Sequence, residues 1–122
     1  MVAVVKRSHA PVFWLLFGAG GMLAALVGPM LVFITGIAVP LGSPLQRELL
    51  SYPRAFALAQ HWWAKGCLLV VVTLFAWHAV HRIYHSLHDL GIRTGTFPKL
   101  LCYGTALVLT VATVASLLAI GF

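Results

Sequence analysis

The chain has 122 residues, 61% of them hydrophobic and only 8% charged, with eight Lys/Arg set against two acids, Glu48 and Asp89. Its mean hydropathy is +1.00, and it carries far less charge than the roughly 25% that wets a soluble domain, so a water-soluble globule and a disordered chain are both excluded. The pI near 10.0 does not mark a nucleic-acid binder, because the basic residues are scattered at the ends of apolar segments rather than gathered on one face.

The composition is that of an all-α integral membrane protein, read as one domain over residues 1–122. The first ten residues are a short polar start with no cleavable signal evident. From Ser8 to Gln46 there is no Lys, Arg, Asp or Glu. This run is too short for two spans with a turn between them, and it predicts one helix over about 12–38, ended by Pro40, Gly42 and Pro44. Within it, Gly20, Ala24 and Gly28 recur at a spacing that lets membrane helices approach closely. Pro29 is expected to kink the helix, since it lacks a donor and its ring meets a carbonyl one turn earlier.

The next uncharged run, Gly66 to His81, spans 16 residues, only about 24 Å of helix. Its flanks extend it. Ala55 to Ala64 is apolar apart from Gln60 and His61, and Lys65 can reach toward lipid headgroups. A single helix over about 54–90 is predicted, about 55 Å long and therefore projecting beyond the lipid. After Gly95 as loop, Thr96 as cap and Pro98 in the first turn, a third helix is predicted over about 98–121. Loops around 40–53 and 91–97 join the three.

With the N-terminus cytoplasmic, Lys6, Arg7, Arg82, Arg93 and Lys99 lie inside, and Arg47, Arg54 and Lys65 do not. The positive-inside rule then favours a cytoplasmic N-terminus and a periplasmic C-terminus. Trp14 and Trp77 would mark one interface, Trp62 and Trp63 the other. Cys67 and Cys102 would sit at opposite depths and remain free thiols, since a disulfide needs α-carbons within about 7 Å.

The unusual local feature is a histidine stripe. His78, His81, His85 and His88 step by three, four and three, which places them on one helix face beside Arg82. Such a stripe in lipid must meet protein, cofactor or water. It could be an interfacial polar face packed on protein. It could supply an axial haem ligand, although the other two helices contain no histidine and a partner chain would have to provide the second. It could hold a metal through His81 and His85, but no acidic or thiolate companion is present. A quinol site suits the chemistry better. Arg82 is a permanent donor, the histidines donate or shuttle protons near neutral pH, and Trp14 or Trp77 can stack on a flat ring. Under the proposed topology Trp14 and Arg82 reach the same membrane face although 68 positions apart.

Several stretches carry a resemblance. Lys6-Arg7-Ser8, Pro11-Val12-Phe13-Trp14 and Phe17-Gly18-Ala19-Gly20-Gly21-Met22 resemble the N-terminus of the D subunit of fumarate reductase. Pro40-Leu41-Gly42, Leu50-Ser51-Tyr52, Phe56-Ala57, Ala59-Gln60, His81-Arg82 and His85 with His88-Asp89-Leu90 continue it over nearly the whole chain. The resemblance implies a small three-helix membrane anchor of a bacterial quinol:fumarate reductase in the cell inner membrane. Its partners would be a flavoprotein subunit, an iron-sulfur subunit and a second anchor. FAD and iron-sulfur clusters would reside in those partners, menaquinol would be oxidised at a site shared between subunits during anaerobic respiration, and no haem is expected.

Carried over by position, the quinone-binding residues would be Trp14 and Arg82, with His81 and His85 as further candidates; no catalytic or metal residue is assigned. His78 and Tyr84 depart from the family's pattern, and the resemblance gives His78 no role. Asp89 lies beyond the membrane and Glu48 on the opposite side, so a general base would come from the other anchor or from water. The projecting segment His81 to Leu90 suits docking of the hydrophilic subunits. The alternatives are a succinate dehydrogenase anchor with haem b and ubiquinone, or a purely structural assembly protein. A channel or transporter fits least, since no acidic residue lies within a span and no inverted repeat is seen.

Overall fold

The computed structural model describes residues 10–121. Among them there are helices and turns and no strand. The helices are α1 (Ala10–Phe33), the short α2 (Val39–Leu41), α3 (Tyr52–Gln60), α4 (Trp62–Asp89) and α5 (Thr96–Ala119). Three stretches are long and apolar enough to cross a membrane: Trp14–Leu41, Trp62–Asp89 and Thr96–Ala119, with mean hydropathies of 2.3, 1.6 and 1.9. The chain is thus an all-α protein with three membrane spans. Lys6, Arg7 and His9 lie outside the described residues.

The first span runs helical through Pro29. It then widens into a π turn over Ile34–Ala38, where the Val39 N–H reaches back five residues to the Ile34 carbonyl. Pro40 explains the widening. It has no N–H for the Gly36 carbonyl, and its ring would collide with that carbonyl in regular helix. Gly42 closes the span in a left-handed conformation, φ +75°, with its N–H bonded to the carbonyls of Ala38 and Val39.

The second helix differs from the sequence expectation. A single rod over 54–90 is not formed: α3 ends at Gln60, and His61 takes an extended conformation (φ −69°, ψ 131°) before α4 begins at Trp62. No proline or glycine marks the break, which falls where the extended His61 separates the two helices. With 28 residues, α4 is about 42 Å long rather than 55 Å. It ends with Gly91 at φ +74°. There the Ile92 N–H reaches the Leu87 carbonyl and the Gly91 N–H the His88 carbonyl, a glycine-terminated helix end. The third span also starts earlier than expected. Gly95 occupies the cap position and Thr96 is the first helical residue.

The middle span α4 is the shared partner, packed along α1 on one side and α5 on the other. The buried apolar residues are small: Gly20, Ala38, Val39, Ala64, Val80 and Ala106. Large apolar side chains such as Leu15, Met22, Leu26, Leu107 and Val108 point outward. This inverts a soluble core. Lipid is as apolar as leucine, so contact between spans comes from close backbone approach.

One buried charge stands out. Lys65 is 7% exposed, and its Nζ donates to the Leu117 carbonyl at 2.8 Å and to the Gly121 carbonyl. The expectation that Lys65 reaches toward headgroups is therefore corrected. Its ammonium caps the C-terminal end of α5, where the last carbonyls lack partners and the helix dipole is negative.

Candidate functional site

The site is built at the end of the bundle where α1 begins and α4 ends. Phe17, on the second turn of α1, faces α4. Its ring lies flat on the His81 imidazole, with centroids 3.8 Å apart and planes 10° apart. Its carbonyl oxygen is 3.1 Å from His78 Nδ1. A carbonyl only accepts, so His78 holds its proton on Nδ1 and donates it. The approach is possible because α1 presents glycine there. A Cβ on Gly20 would lie 2.8 Å from the Leu74 carbonyl oxygen and 2.9 Å from His78 Cβ, and one on Gly21 would lie 2.9 Å from His78 Cε1. Gly18 and Gly28 have open space instead. Of the small residues noted in the first span, Gly20 makes a close approach within the chain and Gly28 does not.

From His81 the cluster continues into α5. His81 Nδ1 and the Tyr103 hydroxyl share a 2.9 Å hydrogen bond. His85 meets His81 edge-on at 4.4 Å, and Tyr84 lies against both His85 and Tyr103 at 5.7 Å. Trp77 donates its indole N–H to Thr110 Oγ1 at 3.0 Å, and that hydroxyl donates to the Ala106 carbonyl at 2.8 Å. Trp77 is therefore tied between α4 and α5. Leu16, Phe17, Trp77, Lys99 and Tyr103, from all three spans, line a cleft of about 460 Å³.

The four histidines share one helix but not one task. His78 bonds the backbone of α1. His81 is stacked on by Phe17 and hydrogen-bonded to the Tyr103 hydroxyl. His85 is exposed against it, and His88 Nδ1 sits 3.2 Å from Thr94 Oγ1 in the turn leading to α5. No cluster of three or more His, Cys, Asp or Glu able to hold a metal occurs among the described residues. Cys67 and Cys102 are both free thiols.

The sequence-selected residues are placed as follows. His81 and His85 are in contact. Trp14 is 80% exposed and lies three residues, about 4.5 Å of helix rise, from Phe17. Arg82 is exposed and adjacent to His81. Trp14 and Arg82 thus stand at the same end of the bundle, both directed away from it, with no hydrogen bond or ring contact between them among the described residues. Phe17, Tyr103 and Lys99 were not selected from sequence. A tyrosine within an apolar span is a legible signal, because its hydroxyl needs a partner; nothing local distinguishes Phe17 from the other apolar residues of α1.

The sequence as a whole was compared with known proteins. A family model that describes the D subunit of fumarate reductase matches residues 4–118. The fumarate reductase D subunit of Vibrio cholerae serotype O1 (strain M66-2) is 43% identical over 107 residues, covering 86% of this chain and 80% of the relative. That of Vibrio vulnificus (strain YJ016) is 44% identical over 103 residues, 83% of this chain and 80% of the relative. That of Shewanella sp. (strain W3-18-1) is 40% identical over 110 residues, 89% of this chain and 90% of the relative. A match of this extent, which takes in the site residues and all but the last residue of the three spans, shows that the protein belongs to the family of fumarate reductase D subunits.

Proposed function

We infer that this chain is a membrane anchor subunit of a bacterial quinol:fumarate reductase. The whole chain acts as one anchor domain with a cytoplasmic N-terminus and a periplasmic C-terminus. It holds the flavoprotein and iron-sulfur subunits at the inner membrane and, with a second anchor, forms part of the site where menaquinol is oxidised and fumarate reduction is supplied with electrons. The observation that carries this reading is the flat stack of Phe17 on His81, which brings the start of the first span and the end of the second to one level. Trp14 and Arg82 project from that level toward whatever covers the bundle.

In this reading Trp14 offers a stacking face for the quinol ring and Arg82 a fixed donor to a ring oxygen. His81 and His85 are the imidazoles within reach of the same edge, able to accept or pass a proton. FAD and the iron-sulfur clusters belong to the partner subunits, and the reading needs no haem, since every stripe histidine lies on α4. Arg82→Ala and Trp14→Ala in the assembled complex are expected to lower quinol-dependent fumarate reduction at least tenfold. Electron transfer from a soluble dye to fumarate should be kept. Unchanged quinol turnover in both variants would remove these residues from the site.

A further inference from the structure

Resting on that quinol-site reading, we propose that His78 is a positioning residue for the site: its bond to the Phe17 carbonyl, seated in the notch of Gly20 and Gly21, sets the height of α1 on α4 at which the Phe17 ring lies flat on His81.

Two contacts converge on Phe17 from successive turns of α4. His78 Nδ1 holds its backbone at 3.1 Å, and His81 holds its ring at 3.8 Å. A helix seam made of small residues and lipid-like side chains has little directional preference, because van der Waals contact varies gently as one helix slides on another. A hydrogen bond does not. A slip of α1 by one residue moves the Phe17 carbonyl about 1.5 Å along the axis and turns it by about 100°, which takes it away from His78. Regular helix already uses that carbonyl for its own i+4 bond, so His78 takes its second lone pair and leaves α1 intact. The notch fits this side chain: a Cβ on Gly20 would meet the Leu74 carbonyl and His78 Cβ, and one on Gly21 would push against the His78 ring.

The consequence reaches the proposed site through His81, one of its imidazoles, and the cleft beside it. Phe17 is part of its wall, and Tyr103, another part, is bonded to His81. Loss of the His78 bond frees the Phe17 ring from His81, and through His81 loosens Tyr103. His78 itself does not line the cleft, so its effect on a quinol is indirect.

The test uses the assembled four-subunit complex with His78→Asn, His78→Gln and His78→Ala. Asparagine can place an amide N–H near the position of Nδ1; glutamine keeps the volume but displaces the donor; alanine removes it. For His78→Gln and His78→Ala the KM for a menaquinol analogue should rise about five- to tenfold with kcat within twofold. Binding of a fluorescent hydroxyquinoline N-oxide, titrated without turnover, should weaken in parallel. His78→Asn should restore both to within twofold. A purely structural role would lower the yield of assembled complex and leave KM and analogue affinity per complex unchanged, and that result in His78→Gln overturns the proposal. Arg82→Ala run alongside separates the two failures: if it impairs quinol turnover while the His78 variants do not, positioning falls and the quinol site stands. If neither changes, the quinol-site reading falls with it.

Discussion

At the scale of single residues, polar groups inside the spans are informative because lipid offers them no alternative partner. Lys65 and Trp77 illustrate this. Each finds its partner on α5, and the bonds pin α4 to α5 near the start and the middle of α4. Lys65→Met keeps the aliphatic stem and removes the donor to the Leu117 and Gly121 carbonyls; it should destabilise the folded chain by about 1–3 kcal/mol. Thermal unfolding in detergent measures this, and a change within error would mean those carbonyls find other donors. Thr110→Val and Trp77→Phe should each cost about 0.5–1.5 kcal/mol. The double variant should cost less than their sum, since both remove one bond. Full additivity would show that the indole bond contributes nothing.

At the scale of elements, the seams and the breaks follow different rules. Gly20→Ala should destabilise the α1–α4 pair because its Cβ meets backbone at 2.8 Å, whereas Gly28→Ala has open space within the chain and should leave the chain's own unfolding temperature unchanged or raised. Thermal unfolding of the two variants checks the contrast; equal losses would place α1 in a different register. The break at His61 leaves the first N–H groups of α4 without a side-chain cap. Amide exchange should therefore be fast at residues 62–64 and slow from Lys65 onward, whose N–H reaches the His61 carbonyl. Continuous protection across 54–70 would restore the single rod anticipated from sequence. That anticipation failed because Gln60-His61-Trp62 contains neither proline nor glycine, so the sequence carries no local breaking signal there.

At the scale of the molecule, the proposed orientation puts Cys67 and Cys102 at opposite membrane faces. Both are free, Cys67 exposed and Cys102 half-buried. In spheroplasts a membrane-impermeant maleimide should label Cys67 and spare Cys102 until the membrane is opened. The reverse pattern would invert the topology and carry Trp14 and Arg82 to the periplasmic face together. The narrow seams and the outward-facing large apolar residues also imply that this chain gains most of its burial from lipid and from neighbouring subunits rather than from itself.

The membrane class, the number of spans and the family likeness were all determined by the sequence alone. Each depends on sums or strings of neighbouring residues: about twenty apolar positions suffice for a span, whatever they later touch. The histidine stripe was equally visible, since a three-four-three step is a property of the helix itself. What each histidine does was not. His78 finds its acceptor 61 positions away, and His81 its tyrosine 22 positions away; Lys65 reaches a carbonyl 52 positions on. Hydrogen bonds of that kind are decided by which helices lie side by side and at what height. Only the packed tertiary structure specifies height, because the hydrophobic pattern that inserts a helix is nearly indifferent to its sliding.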